Sequence, residues 1–313
     1  MQRTASRLSL DANDLWLLSV AVVWGGNKLV AKVLLAVLSP VALFTLQMVG
    51  VALLLALYVA VARRERLCDW GPMVGAVVLS GLIFCAQRFL FFAGQKLTTV
   101  SQGALFMDTS PLWTALLVAA LGLETIRAVN WLGVGLGFLG VALVLFGGSR
   151  VATAYAPAPL AGNLILMGSA VLLAIHMVVT RGWMQRFGAM RVMTMTHVVA
   201  ALVILPWGLW DLSVTARPAL GPGQWWLLAY TILLAGAYGF VAWYAVIRRA
   251  GAARAAMYQF LMPVMSAVAA WALLREQLSA WQVLGFGVTM FSVYLARPVP
   301  RPAPVAAAPG GAE

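Results

Sequence analysis

Long stretches of this 313-residue chain carry no charged side chain, among them Val51–Ala62, Met73–Ala86, Leu112–Leu123 and Val199–Trp210. Each lies inside a longer apolar segment. About 20 such residues in a helix cross the ~30 Å of hydrocarbon in a bilayer. A spanning segment in lipid must satisfy its own backbone, so the pattern predicts helices. Hydrophobic residues make up 63% of the chain and charged residues 10%. A water-soluble domain has no use for that much apolar surface. Residues 1–13 are polar, and the first apolar run leads into further spans rather than to a cleavage site. The first helix is therefore expected to direct insertion, with no signal peptide.

Ten helices are predicted, with edges near 14–35, 41–62, 71–94, 101–121, 129–148, 161–181, 190–210, 225–247, 253–273 and 279–297. Breakers separate them: Ser39-Pro40, Gly71-Pro72, Ala156–Pro159 and Arg217–Gly223. Residues 1–13 form a cytoplasmic N-terminus. The Pro/Ala/Gly-rich tail, 298–313, is expected to be disordered and cytoplasmic.

Basic residues orient the spans. With the N-terminus inside, the inner segments hold 14 Lys and Arg, the outer segments five, and Lys28 and Arg88 lie within spans. This bias places both termini in the cytoplasm. The net charge of +12 is then a topology signal. Nucleic-acid binding is excluded as a reading, because no basic stripe stands apart from a span. Cys68 and Cys85 have no metal-ligand spacing, and a disulfide between them is not expected.

Half of the chain is written twice. PLWTALLVAALGLE (111–124) recurs as PVMSAVAAWALLRE (263–276), and at the same offset of 152, Gly133, Gly135, Val141 and Leu143 meet Gly285, Gly287, Val293 and Leu295. Two copies, 14–148 and 161–297, hold five spans each. Five is odd, so the second copy enters the membrane from the opposite side. The predicted fold is an all-α membrane protein of two inverted five-helix repeats.

The order of motifs carries a resemblance. The first span holds WGGNKLVAK (Trp24–Lys32), followed by Leu38-Ser39-Pro40. The fourth starts with small residues, has a central Pro111 and ends on Gly122-Leu123-Glu124. The fifth reads WLGVGLGFLGVALVL. Over residues 14–297 the chain resembles the EamA-like family of the drug/metabolite transporter superfamily. The resemblance implies ten helices and transport of a small molecule, often the export of amino acids or other metabolites, in the inner membrane of a bacterium. It also implies a midplane cavity lined by spans 1, 3, 4, 6, 8 and 9. Many relatives place a basic residue early in the second span, where this chain has Gln47.

Candidate site residues follow from depth and from departures between the copies. Pro111 and Pro263 are matched helix breaks, which point to a central site, though a packing kink is the plainer reading. Asp108 is the only acid deep in a span. A charge at that depth costs roughly 2.5–3.5 kcal/mol on insertion scales, so it must face a cavity or a partner. Arg88 is the expected partner, either as a structural lock or as a pair that contacts substrate. Trp24, Asn27 and Lys28 lie on the first span, with Lys28 expected to line the cavity and Lys32 to snorkel outward. His176 falls at the repeat position of Asn27. Asp108 and His176 are the proton-coupling candidates. Tyr258 and Gln259 precede Pro263 as Asp108 precedes Pro111. Glu124 and Glu276 are expected to cap helix starts. The glycines at 133, 135, 137 and 140 imitate a dinucleotide loop, but no strand precedes them, and close helix packing is expected.

The favoured function is secondary active transport of a small polar or zwitterionic, amino-acid-like metabolite, without enzymatic activity, cofactor or metal. No P-loop is present to draw on ATP. Arg88 and Lys28 suit a carboxylate and Asp108 an amine; an organic anion is also accommodated. The expected partners are the solute, the bilayer and protons or a counter-solute, and a homodimer is allowed. The weaker readings are an intramembrane enzyme, for which H-E-x-x-H and G-x-S-x-G are lacking, and a non-transporting receptor or scaffold.

Overall fold

The structure, a computed structural model, describes residues 11–62, 71–123, 128–147, 156–215, 220–250, 258 and 261–296. Among these residues the regular structure is helical. The helices are α1 (Ala12–Leu35), α2 (Pro40–Val61), α3 (Val74–Leu97), α4 (Val100–Met107), α5 (Ser110–Ala120), α6 (Ala128–Gly147), α7 (Pro159–Phe187) and α8 (Ala189–Val214). They continue with α9 (Pro222–Ala229), a π-helical segment (Tyr230–Tyr238), α10 (Gly239–Ala250), α11 (Leu261–Leu274) and α12 (Ala280–Ala296). Among the described residues, seven spans are long and apolar enough to cross a membrane: α1, α2, α3, Val100–Ala120, α7, α8 and Pro222–Arg249. The rest of the bundle is built of shorter apolar helices, α6 and α11 among them.

Local chemistry sets the helix ends. Asp11 accepts from the Asp14 amide while the Asp14 carboxylate accepts from the Asp11 amide, a reciprocal capping box. Ser39 caps α2 and is followed by Pro40, whose missing N–H costs nothing in the first turn. α7 runs well past the predicted 161–181. Its 29 residues give about 43 Å at 1.5 Å per residue, so it overshoots the hydrocarbon or tilts through it.

Two predicted spans are not regular. The predicted helix 101–121 is broken between α4 and α5, at Asp108 and Thr109. Pro111 has no N–H to offer the Met107 carbonyl, and its ring disfavours helical backbone just before it. The predicted helix 225–247 changes to π-helix over Tyr230–Tyr238.

The packing has an exchange pattern. α1 packs on α11, and α7 packs on α4 and α5. α3 packs on α7 and α8, while the π segment packs on α1 and α2. α2 meets α8, and α6 meets α12. Swapping α1 with α7, α2 with α8, α3 with the π segment and α10, α4–α5 with α11, and α6 with α12 returns each of these partnerships. Large apolar side chains such as Leu53, Leu57, Leu202, Leu209 and Trp226 face outward, while Ser80, Gln87, Gln95, Ser169 and Thr196 are buried. That is the distribution of a protein dissolved in lipid.

Small residues allow the closest approaches. A Cβ on Gly140 would lie 2.8 Å from the Gly285 carbonyl, and one on Gly285 would lie 2.7 Å from that of Gly140. Gly135 and Gly287, expected to pack in the same way, face open space instead. The termini before residue 11 and after 296, Cys68, Glu124 and Gln259 lie outside the described residues.

Candidate functional site

The break in the fourth span positions the first part of the site. Asp108 ends α4, its amide donating to the Ala104 carbonyl at 3.0 Å. The carboxylate thus projects at the discontinuity, opposite α1. Lys28 of α1 meets it, Nζ to Oδ2 at 2.7 Å. The expected partner, Arg88, does not take this place. Lys28 approaches from the facing helix, while Arg88 is turned toward α2. The Lys28 and Asp108 side chains are 10% and 22% exposed, so the pair is screened from bulk solvent and still accessible on the Asp108 side. One residue before Lys28 in the chain, no donor among the described residues reaches the buried Asn27 Oδ1.

Arg88 forms a second cationic centre. Its Nη2 donates to Gln47 Oε1 at 2.6 Å, and its guanidinium lies 4.9 Å from the Phe91 ring centroid and 5.0 Å from that of Phe92. Gln47 stands where the resemblance expected a basic residue, and Arg88 of the neighbouring helix brings a cation to that place. Gln47 Nε2 in turn reaches the Thr231 carbonyl in the π segment at 3.4 Å. The adjacent Gln87 donates to Ser169 Oγ at 2.9 Å, and its own Oε1 has no donor among the described residues.

The two histidines belong to a third group. His176 of α7 shares a 3.0 Å hydrogen bond with Ser80 of α3, and Ser80 meets Thr196 of α8 at 2.6 Å. His197 Nδ1 pairs with the Met193 carbonyl at 2.7 Å. Phe84 lies between the imidazoles, 5.2 Å from His176 and 4.9 Å from His197. The rings then continue through Phe240 to Trp24 and Trp243. Trp24 Nε1 donates to the Ala235 carbonyl at 2.8 Å, a carbonyl of the π segment. Trp24, Lys28, Asp108 and His176 are thus held by contacts among α1, α3, α4, α7 and the π segment.

Tyr258 does not join them. Its hydroxyl donates to Asp14 Oδ1 at 2.7 Å, at the N-terminal end of α1 and far along that helix from Lys28. Pro263 is near the start of α11 as described. One turn on, Ser266 Oγ donates to the Gly25 carbonyl at 2.9 Å, joining α11 to α1.

Two charges clamp the junction between α3 and α4. Lys32 does not snorkel. Its Nζ is buried against the C-terminal end of α3, donating to the carbonyls of Gln95 and Lys96 at 2.9 Å each and of Thr98 at 2.6 Å. Glu276 accepts from the Val100 amide at 2.7 Å and from the Ser101 amide and hydroxyl at 3.0 and 2.7 Å. It therefore caps α4, a helix of the other half, where the dipole favours a negative charge. Arg275, with φ of 55°, turns the chain so that Glu276 can reach. Spacing could have revealed Lys32: it is four residues from Lys28, on the same helix face. Nothing local in the sequence pairs Glu276 with Val100 and Ser101.

Residues 12–146 and 160–297 each match the EamA-like transporter family. The chain is 26% identical over 228 residues to the uncharacterized transporter YyaM of Bacillus subtilis (strain 168), covering 73% of this chain and 74% of that protein. It is 23% identical over 280 residues to an uncharacterized transporter of Archaeoglobus fulgidus, covering 88% and 93%. It is 23% identical over 288 residues to the uncharacterized inner membrane transporter YedA of Escherichia coli (strain K12), covering 89% and 88%. A protein crystal structure shares the fold with a TM-score of 0.60 at 18% identity, over 92% of this chain and 97% of the other. With both halves matched and such relatives spanning most of its length, the chain belongs to the EamA-like transporter family and is a multi-pass membrane transporter.

Proposed function

We propose that the protein is a secondary active transporter that exports a small polar metabolite of the amino-acid type across a bacterial inner membrane by alternating access. Its ten spans form two inverted five-helix halves with both termini in the cytoplasm. The exchange pattern of helix partnerships supports this arrangement, as do the two family matches and the bias of basic residues. YedA, named as an inner membrane transporter, supports the location.

The observation that carries the reading is the Lys28–Asp108 pair at a broken helix. A charge pair placed at a discontinuity within a span, with one partner still accessible, is the arrangement of a solute or proton site. Asp108 is the proposed proton carrier: protonating it releases Lys28 and frees α4–α5 to move against α1. His176, bonded to Ser80, is the second proton candidate.

The test is flux in proteoliposomes loaded with candidate metabolites, with and without an imposed pH gradient. Transport should depend on the gradient, and Asp108→Asn should abolish that dependence. Unaltered, gradient-driven transport in Asp108→Asn would remove the pair from the mechanism.

A further inference from the structure

Charge balance inside the spans separates two classes of solute. Lys28 and Asp108 neutralise each other at 2.7 Å. Lys32 is held by three carbonyls at the end of α3. Arg88, in the middle of α3, has no carboxylate among the described residues. Of the five N–H donors on a guanidinium, one has an acceptor there, Gln47 Oε1. The faces of Phe91 and Phe92 attract the cation, but rings do not accept the remaining N–H groups in their plane. A cation at this depth with unused donors is incomplete without an anion.

Two neutral groups, on α1 and α3, point the same way. Among the described residues, Asn27 Oδ1 and Gln87 Oε1 are buried acceptors without donors. They suit a neutral N–H or O–H, whereas an ammonium group requires an acid, and Asp108 Oδ2 is already engaged by Lys28.

We propose that Arg88 binds the carboxylate of the solute through paired N–H···O bonds, and that the site prefers a net-anionic carboxylate bearing a neutral donor, such as an N-acyl amino acid or a hydroxy acid, over the zwitterion. This rests on the transporter reading for its location and deepens it by naming the substrate class. A planar fork of donors matches a carboxylate in two contacts, which a lysine at the same position would not reproduce.

The experiment is equilibrium binding to the purified full-length protein in lipid nanodiscs, by calorimetry. The probes share one three-carbon skeleton and differ in charge: the anions N-acetyl-L-alanine and L-lactate, the zwitterion L-alanine and the cation L-alaninamide, with the corresponding phenylalanine series. The anions should bind at least about tenfold more tightly than the zwitterions, which is about 1.4 kcal/mol, and the amides should not bind. Arg88→Gln should weaken the anions about tenfold or more and erase the preference. Arg88→Lys, which retains the charge if Arg88→Gln fails to fold, should keep the preference with reduced affinity. Tighter binding of zwitterions overturns the inference, as does anion binding indifferent to Arg88, or no anion binding at all. Absence of anion binding together with flux of another solute refutes only the Arg88 assignment. Anion binding without flux in proteoliposomes refutes only the transporter reading.

Discussion

Removing the Glu276 carboxylate tests how the α3–α4 junction is held. The four N-terminal amides of α4 are all satisfied. Val100 and Ser101 donate to Glu276, Gln102 to the Thr99 hydroxyl, and Gly103 to the Thr99 carbonyl. Glu276→Ala leaves the first two without an acceptor and the Ser101 hydroxyl without its partner. A stranded polar group costs about 1–3 kcal/mol, and loss of favourable dipole pairing adds about 0.3–1 kcal/mol. Glu276 is partly exposed, so water replaces some of what is lost. The expected net cost is about 2–3 kcal/mol. Glu276→Gln keeps one oxygen and turns an N–H donor toward another donor, so it should recover less than half of this. Ser101→Ala removes only the hydroxyl contact and should cost about 1 kcal/mol. Thermal unfolding of the purified variants in one detergent provides the readout. The apparent Tm should fall in the order Ser101→Ala, Glu276→Gln, Glu276→Ala. A Glu276→Ala protein within about 1 °C of the parent, where 1 kcal/mol shifts domains of 150–250 residues by ~2–4 °C, would refute the capping account.

Lys28→Met and Asp108→Asn should each destabilise the protein by about 3 kcal/mol or more, because each strands a buried charge. The double variant should be more stable than either single one, as a double-mutant cycle in Tm would reveal. Gly140→Val drives a side chain into the Gly285 carbonyl and should cost about 1–3 kcal/mol by overpacking. It should appear as a lower Tm with loss of the monodisperse peak in size-exclusion chromatography. Trp24→Phe keeps the ring and loses the bond to the Ala235 carbonyl. It should cost about 1 kcal/mol and speed amide exchange in the π segment.

The all-helical, membrane-spanning class was legible because lipid enforces it. Uncharged runs long enough to span, separated by Pro and Gly, admit helices and little else. The π segment is not legible in the same way, since Tyr230–Tyr238 is as apolar as its neighbours and a change of winding leaves no compositional mark. The site was legible in its members more than in its pairings. Depth identified Lys28, Arg88 and Asp108, but helix rotation decides which cation meets the acid, and the sequence does not contain that angle. Lys28 and Arg88 lie on different helices and were equally available in principle. Tyr258 shows the same limit. Repeat position makes it the counterpart of the Asp108 region, while its hydroxyl reaches Asp14 at the N-terminal end of α1.

The clamp also constrains the order of synthesis. The Ser101 amide and the Glu276 carboxylate that satisfies it are separated by 175 residues. At roughly 5–20 residues per second of translation, that is about 9–35 s during which α4 exists without its acceptor. The first half therefore cannot finish its own structure while it is being inserted. It must wait, with two backbone donors open, until the last helices arrive.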